Sequence, residues 1–188
     1  GFLDSMIATA SYRDMMQEWC VPKMEQAEGR AFYLEADEIY HPLLQSPVKN
    51  TIHAHRNVLL TGSNASGKST FIKTVAINAI LAQTVHTVLA ERYEAVYFRV
   101  YSSMALRDDI LSSESYYMVE IKSLKRIVDR AKEEGEPVLC FIDEVLRGTN
   151  TVERIAASTE ILSLLAQKNA LCFAATHDIE LTELLKEQ

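Results

Sequence analysis

Between Gly62 and Ser69 the chain reads G-S-N-A-S-G-K-S, a fit to G-x-x-x-x-G-K-[ST] with Gly62, Gly67, Lys68 and Ser69 in register. The chemistry of that spacing is capture of a nucleoside triphosphate. Two glycines let the backbone curl so that its N–H groups face β- and γ-phosphate oxygens, and the positive end of a following helix adds to the attraction. Lys68 contributes a mobile charge and Ser69 a hydroxyl for Mg²⁺. The expected triphosphate-binding loop is therefore Gly62, Ser63, Asn64, Ala65, Ser66, Gly67, Lys68, Ser69 and Thr70.

A second group of candidates follows the apolar run "VLCFI", where Asp143 and Glu144 stand side by side. An unbroken apolar run is what a strand covered on both faces requires, and parallel α/β sheets bind ligands at the carboxyl ends of their strands. Mg²⁺ retains most of its waters and takes one or two carboxylates, so Asp143 is assigned to the metal with Ser69. Glu144 is then placed to polarise the attacking water, which suffices because phosphoryl transfer depends mainly on positioning and charge stabilisation. His177 ends a further apolar run, "ALCFAATH", and is expected to sense or stabilise the γ-phosphate. His53, His55 and His86 lack ligand partners at helical or strand spacing and read as surface or packing residues; Tyr116 and Tyr117 read as packing at a helix start.

The elements that must hold these groups alternate. "RNVLLTG" reads as a strand running into the loop, and Lys68 to about Ala82 as a largely buried helix leaving it. "AFYLEADEIY" and "EAVYFRVYSSM" read as strands, "SYYMVEIKSLKRIVDRAKEEG" as a helix with Ile121, Leu124, Val128 and Ala131 on one face. Its Lys122, Lys125, Arg126 and Arg130 form a wet face. Strand "VLCFID", helix "TVERIAASTEILSLLAQK", strand "ALCFAATH" and "IELTELLKEQ" complete the order, and "LDSMIATASYRDMMQEW" before them reads as a packing helix. Strands alternating with helices at this spacing predict an α/β fold, a mainly parallel sheet with helices on both faces, in one domain.

Composition narrows the function. The chain has 188 residues and a formal charge of −7, which disfavours a surface that grips nucleic acid by phosphate neutralisation alone. Cys20, Cys140 and Cys172 show no C-x-x-C spacing, and two lie in apolar runs, which points to a reducing, cytoplasmic setting. No run reaches the ~18 apolar residues of a membrane span. The abrupt helical start suggests the C-terminal part of a longer protein.

Taken together, "TGSNASGKST", "SYYMVE", "FIDEVLRGTNT" and "FAATHDIEL" resemble, in order and spacing, the ATPase domain of MutS-type mismatch-repair proteins. "LDSMIATAS" and His41-Pro42 resemble the lead-in to it, so the resemblance covers nearly the whole chain, with residues 1–50 as lead-in and 51–188 as the P-loop core. It implies a P-loop NTPase three-layer sandwich of the ABC type. It also implies ATP and Mg²⁺ as ligands of Asn64, Lys68, Ser69, Asp143, Glu144, Arg147-Gly148-Thr149 and Thr176-His177. By the same resemblance Ser115 reaches the γ-phosphate bound by a partner subunit, Glu120 matches a family glutamate, and Val48 of "PVKN" packs on the adenine.

The resemblance thus implies a homodimer with two composite sites, and DNA contact through domains absent from this chain. Its departures point to a divergent branch. "GSNASGKST" replaces G-P-N-M-G-G-K-S-T, "DEVLRGT" replaces D-E-L-G-R-G-T, and Tyr116 replaces a threonine. The implied function is ATP binding and hydrolysis in a MutS-like mismatch-repair protein; the alternative is a nucleotide-operated dimerisation clasp with little turnover in a MutS-like protein not devoted to mismatch repair.

Overall fold

Every second residue of "VLCFI" and "ALCFAA" faces one way, and both sets are apolar, so both faces of these strands must be covered. The structure, a computed structural model, describes residues 1–29, 31–63, 65–104, 116–146 and 149–186 and shows how. In chain order the elements are α1 (Phe2–Met15), β1 (Lys23–Glu25), β2 (Leu34–Ile39), β3 (Asn50–Ala54), β4 (Val58–Thr61) and α2 (Lys68–Thr84). They continue as β5 (Arg92–Val96), β6 (Arg99–Ser103), α3 (Tyr116–Ala131), β7 (Val138–Asp143), α4 (Thr151–Ala166), β8 (Ala170–Thr176) and α5 (Glu180–Leu184).

One four-stranded sheet, ordered β4-β8-β7-β6, is parallel throughout. From its central strands Leu139, Phe141, Leu171, Phe173 and Ala175 pack with Ile72, Val75 and Ala79 of α2. On the other face Val138, Cys140, Ile142, Ala170, Cys172 and Ala174 pack with Leu124 and Ile127 of α3 and with Leu162 and Leu165 of α4. The α/β class and the helices on both faces of a parallel sheet are as the sequence predicts.

A second four-stranded sheet was not foreseen as a separate unit. It is mixed, ordered β1-β5-β2-β3, with β1 parallel to β5 and β2 antiparallel to β5 and β3. Its Leu34, Ala36, Ile52 and Ala95 join the same apolar cluster as α2 and the parallel sheet. The expected single strand "EAVYFRVYSSM" is in fact β5 and β6, one in each sheet. The chain crosses between them at Tyr97 and Phe98: the Tyr97 N–H makes the last bond of the β1–β5 ladder, to the Glu25 carbonyl (2.9 Å), and the Phe98 N–H leaves the ladder for Gln83 Oε1 (2.7 Å). Strand β3 was missed although its burial alternates, because His53 and Asn50 dilute the apolar signal.

The outer side of the mixed sheet carries an ion-pair ladder. Arg92 bonds Asp37 at 2.6 Å and Glu35 at 3.3 Å, and His55 Nε2 lies 2.8 Å from Glu35 Oε1. His53 sits between Glu35 and Asp37. These imidazoles are surface residues, as read from the sequence, with carboxylate partners that spacing did not reveal.

Helix α1 corrects another expectation. None of its residues is buried, and Phe2, Leu3, Met6 and Ile7 are exposed. It is tethered near its end by Arg13, which donates to Thr87 Oγ1 at 2.8 Å and to the Val85 and His86 carbonyls, and lies over the Trp19 ring. Among the described residues no helix is long and apolar enough to cross a membrane.

Candidate functional site

Strands β4 and β7 flank β8, so the parallel arrangement brings three carboxyl ends side by side: Thr61, Thr176 and Asp143. The glycine loop, Glu144 and His177 all follow strands that end at this edge. Gly62 has φ 150° and a Cβ there would meet Ser66 Oγ at 3.2 Å; Gly67 takes φ 91° as the residue that opens α2. Both positions therefore favour glycine. Ala65 is also left-handed, at φ 61°. As at any helix start, the first N–H groups of α2 have no acceptor within the helix, the arrangement that attracts an anion.

Lys68 Nζ donates to the carbonyls of Gly62 (2.6 Å) and Ser63 (2.8 Å), and lies 3.5 Å from His177 Nδ1. The imidazole of His177 is held at both nitrogens, by the Gly62 carbonyl at 3.2 Å from Nδ1 and by the Glu144 carboxylate at Nε2. Ser69 Oγ donates to Asp143 Oδ1 at 3.0 Å, and Asp143 is only 6% exposed. Lys68, Ser69, Asp143, Glu144 and His177 thus form one connected group, although they come from three segments of the chain.

Glu144 is aimed by an unusual backbone. Its φ is 62° and its N–H still donates to the Ala175 carbonyl at 3.0 Å, which extends the β7–β8 ladder by one bond while turning the side chain toward His177. Two residues later Leu146 is again left-handed, at φ 57°, where the MutS-type pattern has glycine. A left-handed non-glycine residue costs about 1–2 kcal/mol, so the surroundings must enforce the turn. Glu120 on α3 does so by accepting the Leu146 N–H at 2.6 Å. At the start of α4 Asn150 caps by accepting Glu153 N–H at 3.0 Å, and Thr149 Oγ1 donates to the Glu153 carboxylate at 2.6 Å.

One ion pair next to His177 was missed. Arg154 on α4 grips Asp178 through Nε (2.8 Å) and Nη2 (2.7 Å), and the pair holds the Asp178 carboxyl below the usual carboxylate range, chiefly through these hydrogen bonds. Nothing in residue spacing marks it, since the partners lie 24 positions apart.

The donor set suits the ligands expected of it. A hydroxyl and a carboxylate within 3.0 Å are hard oxygen ligands for Mg²⁺, which completes its shell with water and phosphate. No group of three or more His, Cys, Asp or Glu that could hold a metal ion occurs among the described residues. Val48 is 79% exposed on the connection between β2 and β3. Asn64, Ser115, Arg147 and Gly148 lie outside the described residues.

Residues 58–188 match the family model "MutS domain V". The chain is 39% identical over 149 residues to the DNA mismatch repair protein MutS of Pseudothermotoga lettingae, covering 77% of this chain and 18% of that protein. It is 38% identical over 132 residues to the protein of that name from Thermus aquaticus, covering 70% and 16%, and 32% identical over 189 residues to that of Thermotoga petrophila, covering 96% and 23%. The chain therefore spans about a fifth of the length of these relatives. By the extent of these matches the chain belongs to the MutS family, with residues 58–188 corresponding to its domain V.

Proposed function

We propose that this domain binds and hydrolyses Mg-ATP, as a P-loop sandwich of the ABC type. The reading is carried by one observation, the 3.0 Å contact of Ser69 with Asp143 beside the chain of contacts from Lys68 through His177 to Glu144. The loop amides from Gly62 to Thr70 bind the triphosphate, and Lys68 exchanges its carbonyl partners for phosphate oxygens. Ser69 and Asp143 would hold Mg²⁺, which would supply charge neutralisation at the bound phosphates. Glu144 accepts a proton from the attacking water, and His177, anchored on Glu144, donates to the γ-phosphate. Val48 supplies an apolar surface for the adenine.

Ser115 completes the site of a second subunit, so that ATP stabilises a homodimer by linkage and hydrolysis releases it. The relatives are called DNA mismatch repair proteins; on that basis the whole protein acts in the cytoplasm on mismatched DNA, through domains other than this one. A net charge of −7 in this chain accords with placing the DNA contacts elsewhere.

The test is phosphate release by the protein against a Glu144→Gln control, with light scattering in saturating Mg-ATP. Turnover above the control, with a dimer trapped by Glu144→Gln, is the expected result. Binding and pairing without turnover would make the domain a nucleotide-operated clasp. An absence of heat on calorimetric titration with Mg-ATP would overturn the reading altogether.

A further inference from the structure

Glu144 and His177 leave different strands, and both stand on turns rather than inside elements: Glu144 in left-handed backbone, His177 one residue past β8. Their contact needs something that fixes one turn relative to the other. Asp178 directly follows His177 and is 8% exposed, its own N–H tied to Thr176 Oγ1 at 3.1 Å. Arg154 lies in the first turn of α4, the helix entered from the loop that Glu144 begins, and its N–H bonds the Asn150 carbonyl at 2.9 Å. The two side chains meet through two hydrogen bonds, one to each carboxylate oxygen.

We infer that Arg154 and Asp178 are positioning residues for the Glu144–His177 contact. They close a ring: Glu144 to His177, along the chain to Asp178, across to Arg154, and back through the start of α4. Stability alone is a weak reason for so sheltered a pair, because desolvation offsets much of the attraction. What a two-pronged guanidinium–carboxylate contact adds is a defined geometry. The guanidinium's pKa is raised first by its hydrogen bonds to Asp178, with Glu144 among the further Coulombic causes, as expected if Arg154 also lies near the carboxylate it helps to place. The catalytic consequence rests on the Mg-ATP hydrolysis proposed above; the geometric one does not.

The test compares Arg154→Lys and Asp178→Asn with the parent protein in two ways. First, the His177 imidazole is followed by ¹⁵N-histidine NMR without nucleotide, the signal being assigned with His177→Gln. Second, kcat and KM are measured for Mg-ATP. Both variants are expected to shift the His177 nitrogen signals and to lower kcat by about tenfold or more, as misplacement of a reacting group does, while KM stays within about twofold. Arg154→Lys keeps the charge and serves if Asp178→Asn fails to fold. Unchanged imidazole signals in a folded variant, or a change confined to KM, would overturn the inference. Shifted signals in a protein whose parent form shows no turnover would uphold the positioning role and overturn the ATPase reading instead.

Discussion

The carboxylate of Glu120 accepts the backbone N–H of Leu146 at 2.6 Å, in the buried angle between α3 and the loop that follows the acidic pair. Glu120 ends the "SYYMVE" stretch and Leu146 belongs to "DEVLRGT", so two motifs separated by 26 positions are joined by one hydrogen bond. Through it the start of α3 fixes the path of the chain just past Glu144.

Removing the acceptor leaves a buried N–H unpaired. Glu120→Ala is expected to destabilise the fold by about 1–3 kcal/mol, whereas Glu120→Gln, which keeps an acceptor oxygen, costs less than half of that. Urea denaturation of the two variants measures the difference, and equal losses would mean that the Leu146 bond is not what Glu120 supplies.

Leu146 is 4% exposed and left-handed, so two effects oppose each other there. Truncation to alanine loses about 2–5 kcal/mol of packing and keeps the strain. Truncation to glycine loses the same packing but recovers about 1–2 kcal/mol of strain. Leu146→Gly is therefore expected to be more stable than Leu146→Ala, the reverse of the usual order within regular structure. Thermal melting of the pair decides it.

Among the described residues half-buried Lys68 holds carbonyls and a hydroxyl of its own loop through exposed hydrogen bonds, besides its approach to His177. Lys68→Ala should leave the ligand-free melting temperature nearly unchanged, since exposed polar contacts are worth little. Loss of charged hydrogen bonds to phosphate, about 3 kcal/mol, should weaken Mg-ATP binding by about a hundredfold. The upward melting shift given by a fixed ATP concentration should shrink accordingly. A variant that keeps the full shift would remove Lys68 from the site.

Asp178 makes stability depend on pH in one direction. Arg154 lowers its carboxyl pKa in the folded state, so its contribution is fully present above the unfolded value of about 3.9 and is lost as pH falls through the lower folded value. The stability gap between the parent protein and Asp178→Asn should be steady near neutrality and narrow below about pH 4. Chemical denaturation repeated across that range measures the gap, and one that widened with acid would contradict the assigned sign.

Much of the site is written locally. Gly62 and Gly67 are needed because the loop takes positive φ at both, and their spacing from Lys68 and Ser69 is the spacing of one turn entering a helix. Asp143 and His177 could be placed because an apolar run of strand length ends at each, and parallel strands gather their carboxyl ends on one edge. The reading fails where the deciding partner is distant. "EAVYFRVYSSM" has strand propensity throughout, and it is Gln83, 15 positions away on α2, that draws the Phe98 amide out of the ladder where β5 gives way to β6 in the other sheet. Helix α1 shows an apolar period, yet none of its residues is buried, since periodicity states which side could pack and not what lies beside it.

What the sequence determined by itself is the glycine turn that opens α2, the acidic pair and the histidine at two strand ends, and the α/β order that aligns them, because each depends on the conformational needs of a few consecutive residues. Tertiary structure alone decided how those groups are aimed. The left-handed turn at Glu144, the Glu120 bond to Leu146 and the Arg154 grip on Asp178 join side chains and backbone from different elements. Such contacts form only when packing of the parallel sheet brings α3, α4 and the β8 exit together, and no local pattern encodes that meeting.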